Sequence, residues 1–217
     1  MELRGKKVNF LGDSITEGVG VEKPKNRFVD RLAARVGLIA RNYGICGTRI
    51  ARQRVPSENP RYDLDFCSRV AEMEPDADVV VVFGGTNDFG HGDAPLGEMS
   101  DRTADTFYGA LHVLYSSLLE KYPAAEIVVL TPLHRSNESD PAKNPRRTPP
   151  LLLRPFVDAI REVAEYYALP VLDLYAMSGL QPCVPTIMER YVPDGLHPND
   201  AGHEILARRI GAFLSAL

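Results

Sequence analysis

Five short apolar runs are spaced along the chain, with amphipathic stretches filling the intervals between them. Val79-Val80-Val81-Val82-Phe83 is the strongest. An unbroken β-branched run of that length predicts a central parallel strand buried on both faces. Lys7–Leu11, Leu38–Asn42, Glu126–Leu130 and Val171–Leu174 predict four more strands. Amphipathic stretches predict helices near Arg27–Val36, Leu64–Met73, Ala104–Lys121, Phe156–Ala168 and Asp200–Leu214. In the third of these, Phe107, Leu111, Leu114 and Leu118 share one face. Gly37 supplies a C-terminal cap, Pro75 a stop and Asn199 an N-cap for the last helix.

Strands separated by helices throughout predict an α/β fold with a five-stranded parallel sheet covered on both faces. No repeat or linker divides the chain, so residues 1–217 are expected to form one domain. At 44% hydrophobic and 25% charged residues, a chain of this length buries a full core without disulfides or structural zinc. The Pro-rich stretch Leu133–Pro150 is long for a connection. It follows a strand, on the edge where open α/β sheets place their ligands.

The net charge of −4 gives no reason to expect nucleic acid or a membrane as partner. Basic residues are scattered apart from a small group at Lys143, Arg146 and Arg147. No stretch has the length of a signal-peptide core or a membrane span. Cys46, Cys67 and Cys183 are an odd count without CxxC spacing. Together these predict a cytoplasmic protein with reduced thiols.

Four segments carry candidate chemistry, and the first three follow predicted strands one, two and three. Gly12-Asp13-Ser14 offers a hydroxyl in a turn; a serine there commonly caps a helix, and the G-x-S-x-G nucleophile elbow is absent. Asn42-Tyr43-Gly44-Ile45-Cys46-Gly47 offers an unobstructed backbone N–H at Gly47, and Gly84-Gly85-Thr86-Asn87-Asp88 offers the Asn87 amide. With the Ser14 N–H, these donors suit the oxygen of a tetrahedral intermediate. In Asp194-Gly195-Leu196-His197-Pro198, a carboxylate three residues before an imidazole can fold back on Nδ1, leaving Nε2 to accept a proton. Each segment alone also reads as an ordinary turn.

Taken together and in order, the four blocks resemble those of the SGNH hydrolase superfamily, the GDSL esterases and lipases. The resemblance spans nearly the whole chain. It implies a flavodoxin-like three-layer α/β/α sandwich with strand order 2-1-3-4-5. It also implies Ser14 as nucleophile, His197 as general base, Asp194 as its orienter, and Ser14, Gly47 and Asn87 as the oxyanion hole. The expected reaction is hydrolysis of a small carboxylic ester through an acyl-enzyme, without metal or cofactor. Acetyl or another short acyl group on a carbohydrate is the first expectation for substrate; a lysophospholipid or thioester is the alternative. Cys46 departs from the family pattern, where serine or another small residue is expected.

Asp13 is expected to hold the Ser14 turn by bonding nearby backbone. His91 is within reach of a substrate but reads first as a solvated loop residue; Arg49 suits an anionic substrate group but reads first as a surface arginine; Cys46 reads as a small thiol without its own base. His112 and His203 read as structural, and His134 has no evident partner in sequence. A metal-dependent phosphoesterase is a rival reading, faintly suggested by Gly12-Asp13 and Gly85-Thr86-Asn87-Asp88. The five histidines are too dispersed for a two-metal cluster, and no DxH follows the first strand. A non-catalytic binding module is the other rival; loss of Ser14 or His197 would mark it, and both are present.

Overall fold

The computed structural model describes residues 1–140, 142–146 and 150–217. Five parallel strands form one sheet: β1 (Lys7–Gly12), β2 (Ile39–Gly44), β3 (Val79–Phe83), β4 (Glu126–Leu130) and β5 (Val171–Leu172), in the order β2-β1-β3-β4-β5. The order and direction are those expected from sequence. All five residues of β3 are buried, as the unbroken β-branched run requires. The two-residue period of the strand sends Val80 and Val82 to one face and Val79, Val81 and Phe83 to the other.

Each face has its own core. On one, helices α5 (Phe107–Lys121) and α6 (Leu153–Tyr166) lay Leu111, Leu114, Phe156 and Ile160 against Val80 and Val82. On the other, α2 (Phe28–Val36) and α9 (Asp200–Ala216) cover Val79 and Val81 with Phe28, Leu32, Leu206 and Ile210. Gly37 caps α2 at φ 76°, and the Asn199 side chain accepts from the N–H groups of Ala201 and Gly202 at the start of α9. No helix among the described residues is long and apolar enough to cross a membrane.

Local capping chemistry moved several predicted boundaries. Thr106 accepts from the Gly109 N–H, so α5 begins at Phe107 rather than near Ala104. The expected helix Leu64–Met73 is a short α3 (Phe66–Arg69), capped by Asp65, that tightens into a 3-10 turn over Val70–Glu72. Strand β5 stops at Leu172 because Asp173 caps α7 (Leu174–Met177) through the Ala176 N–H. Three short helices had no period long enough to announce them: α1 (Ser14–Glu17), α4 (Thr86–His91) and α8 (Pro185–Tyr191). Two of them open at the segments singled out for chemistry.

The sheet register aligns those segments. Gly12 pairs with Gly44 on one side and with Phe83 on the other, so β1, β2 and β3 end level. Beyond this edge the chain turns one way into β2 and the other into β3, which opens a crevice at the point where strand order reverses.

Candidate active site

Ser14 is the first residue of α1, and Asp13 builds its turn. The Asp13 carboxylate accepts from the Ile15 N–H at 3.0 Å and caps the helix. Burial raises the Asp13 pKa to about 7, against the lowering effect of that bond. The sequence expectation that Asp13 holds this turn agrees with its position.

His197 reaches Ser14 from 183 residues away: its Nε2 lies 3.0 Å from the Ser14 Oγ. Its Nδ1 lies 2.6 Å from Asp194 Oδ2. Asp194 Oδ1 accepts from the N–H groups of Leu196 at 2.9 Å and His197 at 2.6 Å. Burial acts to raise the Asp194 pKa, but the bonds from the His197 ring and from both backbone N–H groups outweigh it and hold the carboxyl below its usual range. An ionised Asp194 fixes the proton on Nδ1 and leaves the Nε2 lone pair toward the hydroxyl.

The donors come from two connections tied to each other. Asp88, in α4, accepts from the N–H groups of Ile50 at 3.0 Å and Ala51 at 2.9 Å. Asn87 Nδ2 donates to the Thr48 carbonyl at 2.9 Å, which leaves its second amide hydrogen for another acceptor. Buried Arg69 spans the base of the same loop, donating to the carbonyls of Gly12 and Tyr43 and to the Thr48 hydroxyl. Gly47 has φ 77°, and a Cβ there would lie 2.5 Å from the Tyr62 ring. Only glycine turns the chain this way against that ring without strain. Among the described residues, the N–H groups of Ser14 and Gly47 have no protein acceptor.

Ser14, Cys46, Gly47, Asn87, His91 and His197 line one cleft of about 320 Å³, joined by Tyr62, Arg135 and Lys143. All six residues expected at the site from sequence therefore lie at one edge of the sheet, and Ser14, Gly47, Asn87 and His197 form part of the cleft wall itself.

The structure corrects two sequence readings. His91 is not a solvated loop residue: it ends α4, is half-buried and faces the cleft. Arg49 is not on the surface: its side chain is 2% exposed and pairs with Asp63 Oδ1 at 2.9 Å. Arg49 Nη1 donates to His91 Nδ1 at 2.7 Å, so that nitrogen is an acceptor and the proton of a neutral ring sits on Nε2. Burial, then the cations of Arg49, Arg135, Arg146 and Lys143, push the His91 pKa down to about 4. His134, which had no evident partner, lies 2.8 Å from Glu138 and against the Tyr175 ring.

Arg135 has no mark in sequence, where it sits in the long connection after β4. It is 4% exposed and donates to the Thr86 carbonyl and hydroxyl from the wall of the cleft. A single arginine in a Pro-rich segment gives no sequence signal of burial. His112 and His203 are buried within helices, as expected. His112 bonds the Met99 carbonyl and the Tyr167 hydroxyl, and His203 accepts from the Phe28 N–H. The three cysteines are free. Burial, then nearby Glu17, raises the Cys46 pKa, which disfavours a reactive thiolate.

A parallel α/β fold with a hydroxyl, an imidazole and a carboxylate in series at its strand ends defines a hydrolase class of site. Residues 10–205 match the model of the GDSL-like lipase/acylhydrolase family, and the chain belongs to that family. It acts, with that family, as a hydrolase of ester bonds. A GDSL lipase of Mycobacterium tuberculosis is 28% identical over 99% of this chain and 84% of its own. A solved protein from Lactobacillus plantarum is 30% identical, with a TM-score of 0.83 over 98% of both chains. A lipase/acylhydrolase from Enterococcus faecalis, 24% identical, shares the fold with a TM-score of 0.65 over 97% of this chain and 96% of its own.

Proposed function

We propose that this chain is a serine esterase that removes a short acyl group, acetyl first among them, from a small-molecule ester through an acyl-enzyme on Ser14. The observation that carries the reading is the continuous Ser14–His197–Asp194 series, at 3.0 and 2.6 Å, opening on a cleft.

As Ser14 Oγ attacks the ester carbonyl, its proton passes to His197 Nε2, and Asp194 balances the charge formed on the ring. The developing oxyanion accepts from the N–H groups of Ser14 and Gly47 and from the free hydrogen of Asn87 Nδ2. Collapse expels the alcohol, which takes the proton back from His197. Water then enters, His197 removes its proton, and the hydroxide attacks the acyl carbonyl. The carboxylic acid leaves as Ser14 regains its hydrogen. No step calls on a metal or cofactor.

The space lined by Ser14, Asn87 and His197 is a cleft of about 320 Å³, and a volume of that size suits a short acyl chain better than a long one. An acetylated carbohydrate is the substrate class we favour. Hydrolysis of p-nitrophenyl acetate, with and without EDTA, tests the reaction. Ser14→Ala is expected to lower kcat by about 10⁴-fold or more, with no effect of EDTA. Unchanged turnover in Ser14→Ala, or dependence on a metal, would overturn the proposal. A series of p-nitrophenyl esters is expected to fall in kcat/KM beyond butyrate; preference for a long chain would favour the lysophospholipid alternative.

A further inference from the structure

The catalytic cleft continues into a larger cavity of about 560 Å³, and the two share Tyr62, Gly90, His91 and Lys143. The walls of the larger one include Lys143 and Arg146, the two described members of the basic group noted in the sequence; Arg147 lies outside the described residues. Lys143 is half-buried, and neither its Nζ nor the Arg146 guanidinium has an ion-pair partner among the described residues. Glu58, on the exposed rim, is the one acidic side chain in the lining among the described residues. His91 stands where the two spaces meet. Its Nδ1 is occupied by Arg49, and its Nε2–H has no protein acceptor among the described residues. Asn144 anchors the segment that presents both cations: its side-chain amide donates to the carbonyls of Phe89 and Gly92 at 3.0 and 2.7 Å. The basic residues are therefore presented by a segment bound to α4, the same helix that carries Asn87.

We propose that this cavity is a subsite for a negatively charged group on the substrate, a carboxylate in the simplest case, held by Lys143 and Arg146 with the His91 Nε2–H as a neutral donor. The inference rests on the ester-hydrolase reading for the group that is cleaved, but not for the group that is bound. A fixed neutral donor flanked by cations accepts an anion without first losing or gaining a proton. The substrate on this account is an acidic ester. The charge sits either on the acyl part or on the alcohol part, and an acidic sugar is the carbohydrate case of the second.

Matched pairs separate these sources. For the acyl side, 4-nitrophenyl hydrogen succinate is compared with 4-nitrophenyl succinamate; for the alcohol side, acetoxyacetate with acetoxyacetamide, by acetate release. One charge-assisted contact is expected to favour the anionic member of one pair by about tenfold or more in kcat/KM. The double variant Lys143→Met, Arg146→Met is expected to reduce that ratio by about fivefold or more, by the same reasoning. A ratio near one in both pairs, or a ratio that survives the double substitution, overturns the subsite. Binding of succinamate against neutral succinamide to Ser14→Ala protein, measured by calorimetry, reads the subsite without catalysis. Selective binding of the carboxylate, lost in the double variant, upholds it even if Ser14 proved dispensable for hydrolysis. Equal binding of the two compounds sinks it while leaving the esterase reading intact.

Discussion

Replacing Asp194 by asparagine and by alanine separates what its carboxylate does for the imidazole from what it does for the turn. Oδ1 accepts two backbone N–H bonds and Oδ2 meets His197 Nδ1. Asparagine keeps an oxygen for the backbone pair and places an NH₂ group against Nδ1. That contact forces Nδ1 to accept, so the ring proton moves to Nε2, which then faces the Ser14 hydroxyl as a donor. The general base is abolished although the atoms hardly move, and kcat is expected to fall by about 10⁴, equivalent to roughly 5.5 kcal/mol in the barrier. Alanine removes every bond but imposes no tautomer. Because the Asp194 side chain is 54% exposed, water can take its place against Nδ1, and the loss is expected to be smaller, on the order of 10²–10³. Stability should run the other way: asparagine is expected to be near neutral, and alanine to cost about 1 kcal/mol for the two turn bonds at this exposed site. Steady-state kinetics on p-nitrophenyl acetate and urea unfolding of the three proteins supply the numbers. Alanine proving more damaging to kcat than asparagine, or asparagine keeping kcat within about tenfold of the parent, would refute the tautomer argument.

Asn87→Ala is expected to lower kcat by about 10²–10³ with little change in KM, since the donor matters most as the oxyanion forms; a rise in KM alone would show ground-state binding instead. Asp13 supplies a pH test of stability. Its folded pKa of about 7 lies above the ordinary 3.8, so the folded state holds a proton that the unfolded state releases as pH rises between these values. The stability it contributes is complete below about pH 4 and is lost toward pH 7, by roughly 4 kcal/mol in all, at about 1.36 kcal/mol per pKa unit. An asparagine side chain does not titrate, so the stability of Asp13→Asn relative to the parent is expected to rise across that window. Urea midpoints showing a flat or falling difference would contradict the dominance of burial over the Ile15 N–H bond and the nearby Arg69 and Arg135 charges at this carboxyl.

Much of the site was legible because its residues announce themselves by local chemistry at strand ends. Asp194 and His197 sit three apart, a spacing that one turn closes without help from elsewhere. Gly12, Gly44 and Gly84-Gly85 mark where strands stop. Arg49, His91 and Arg135 were misread or missed for the opposite reason. Each is hydrophilic and lies near turns, and each is buried or half-buried by partners far along the chain: Asp63 for Arg49, Arg49 for His91, Thr86 for Arg135.

The sequence by itself determined the class of fold and set the candidate residues at strand ends and turns; the strand order came only with the family resemblance that its four blocks carry. Hydrophobic period and turn residues are local properties, and local properties survive in one dimension. The tertiary structure decided what depends on distance and shielding. Parallel pairing with level strand ends brought Ser14 within 3.0 Å of His197 across 183 residues. It withdrew Arg49 from water and fixed the His91 tautomer through it. It also joined the catalytic cleft to a second space that carries two cations without ion-pair partners among the described residues. Burial and electrostatic field are sums over every neighbour in space, and no stretch of sequence contains that sum.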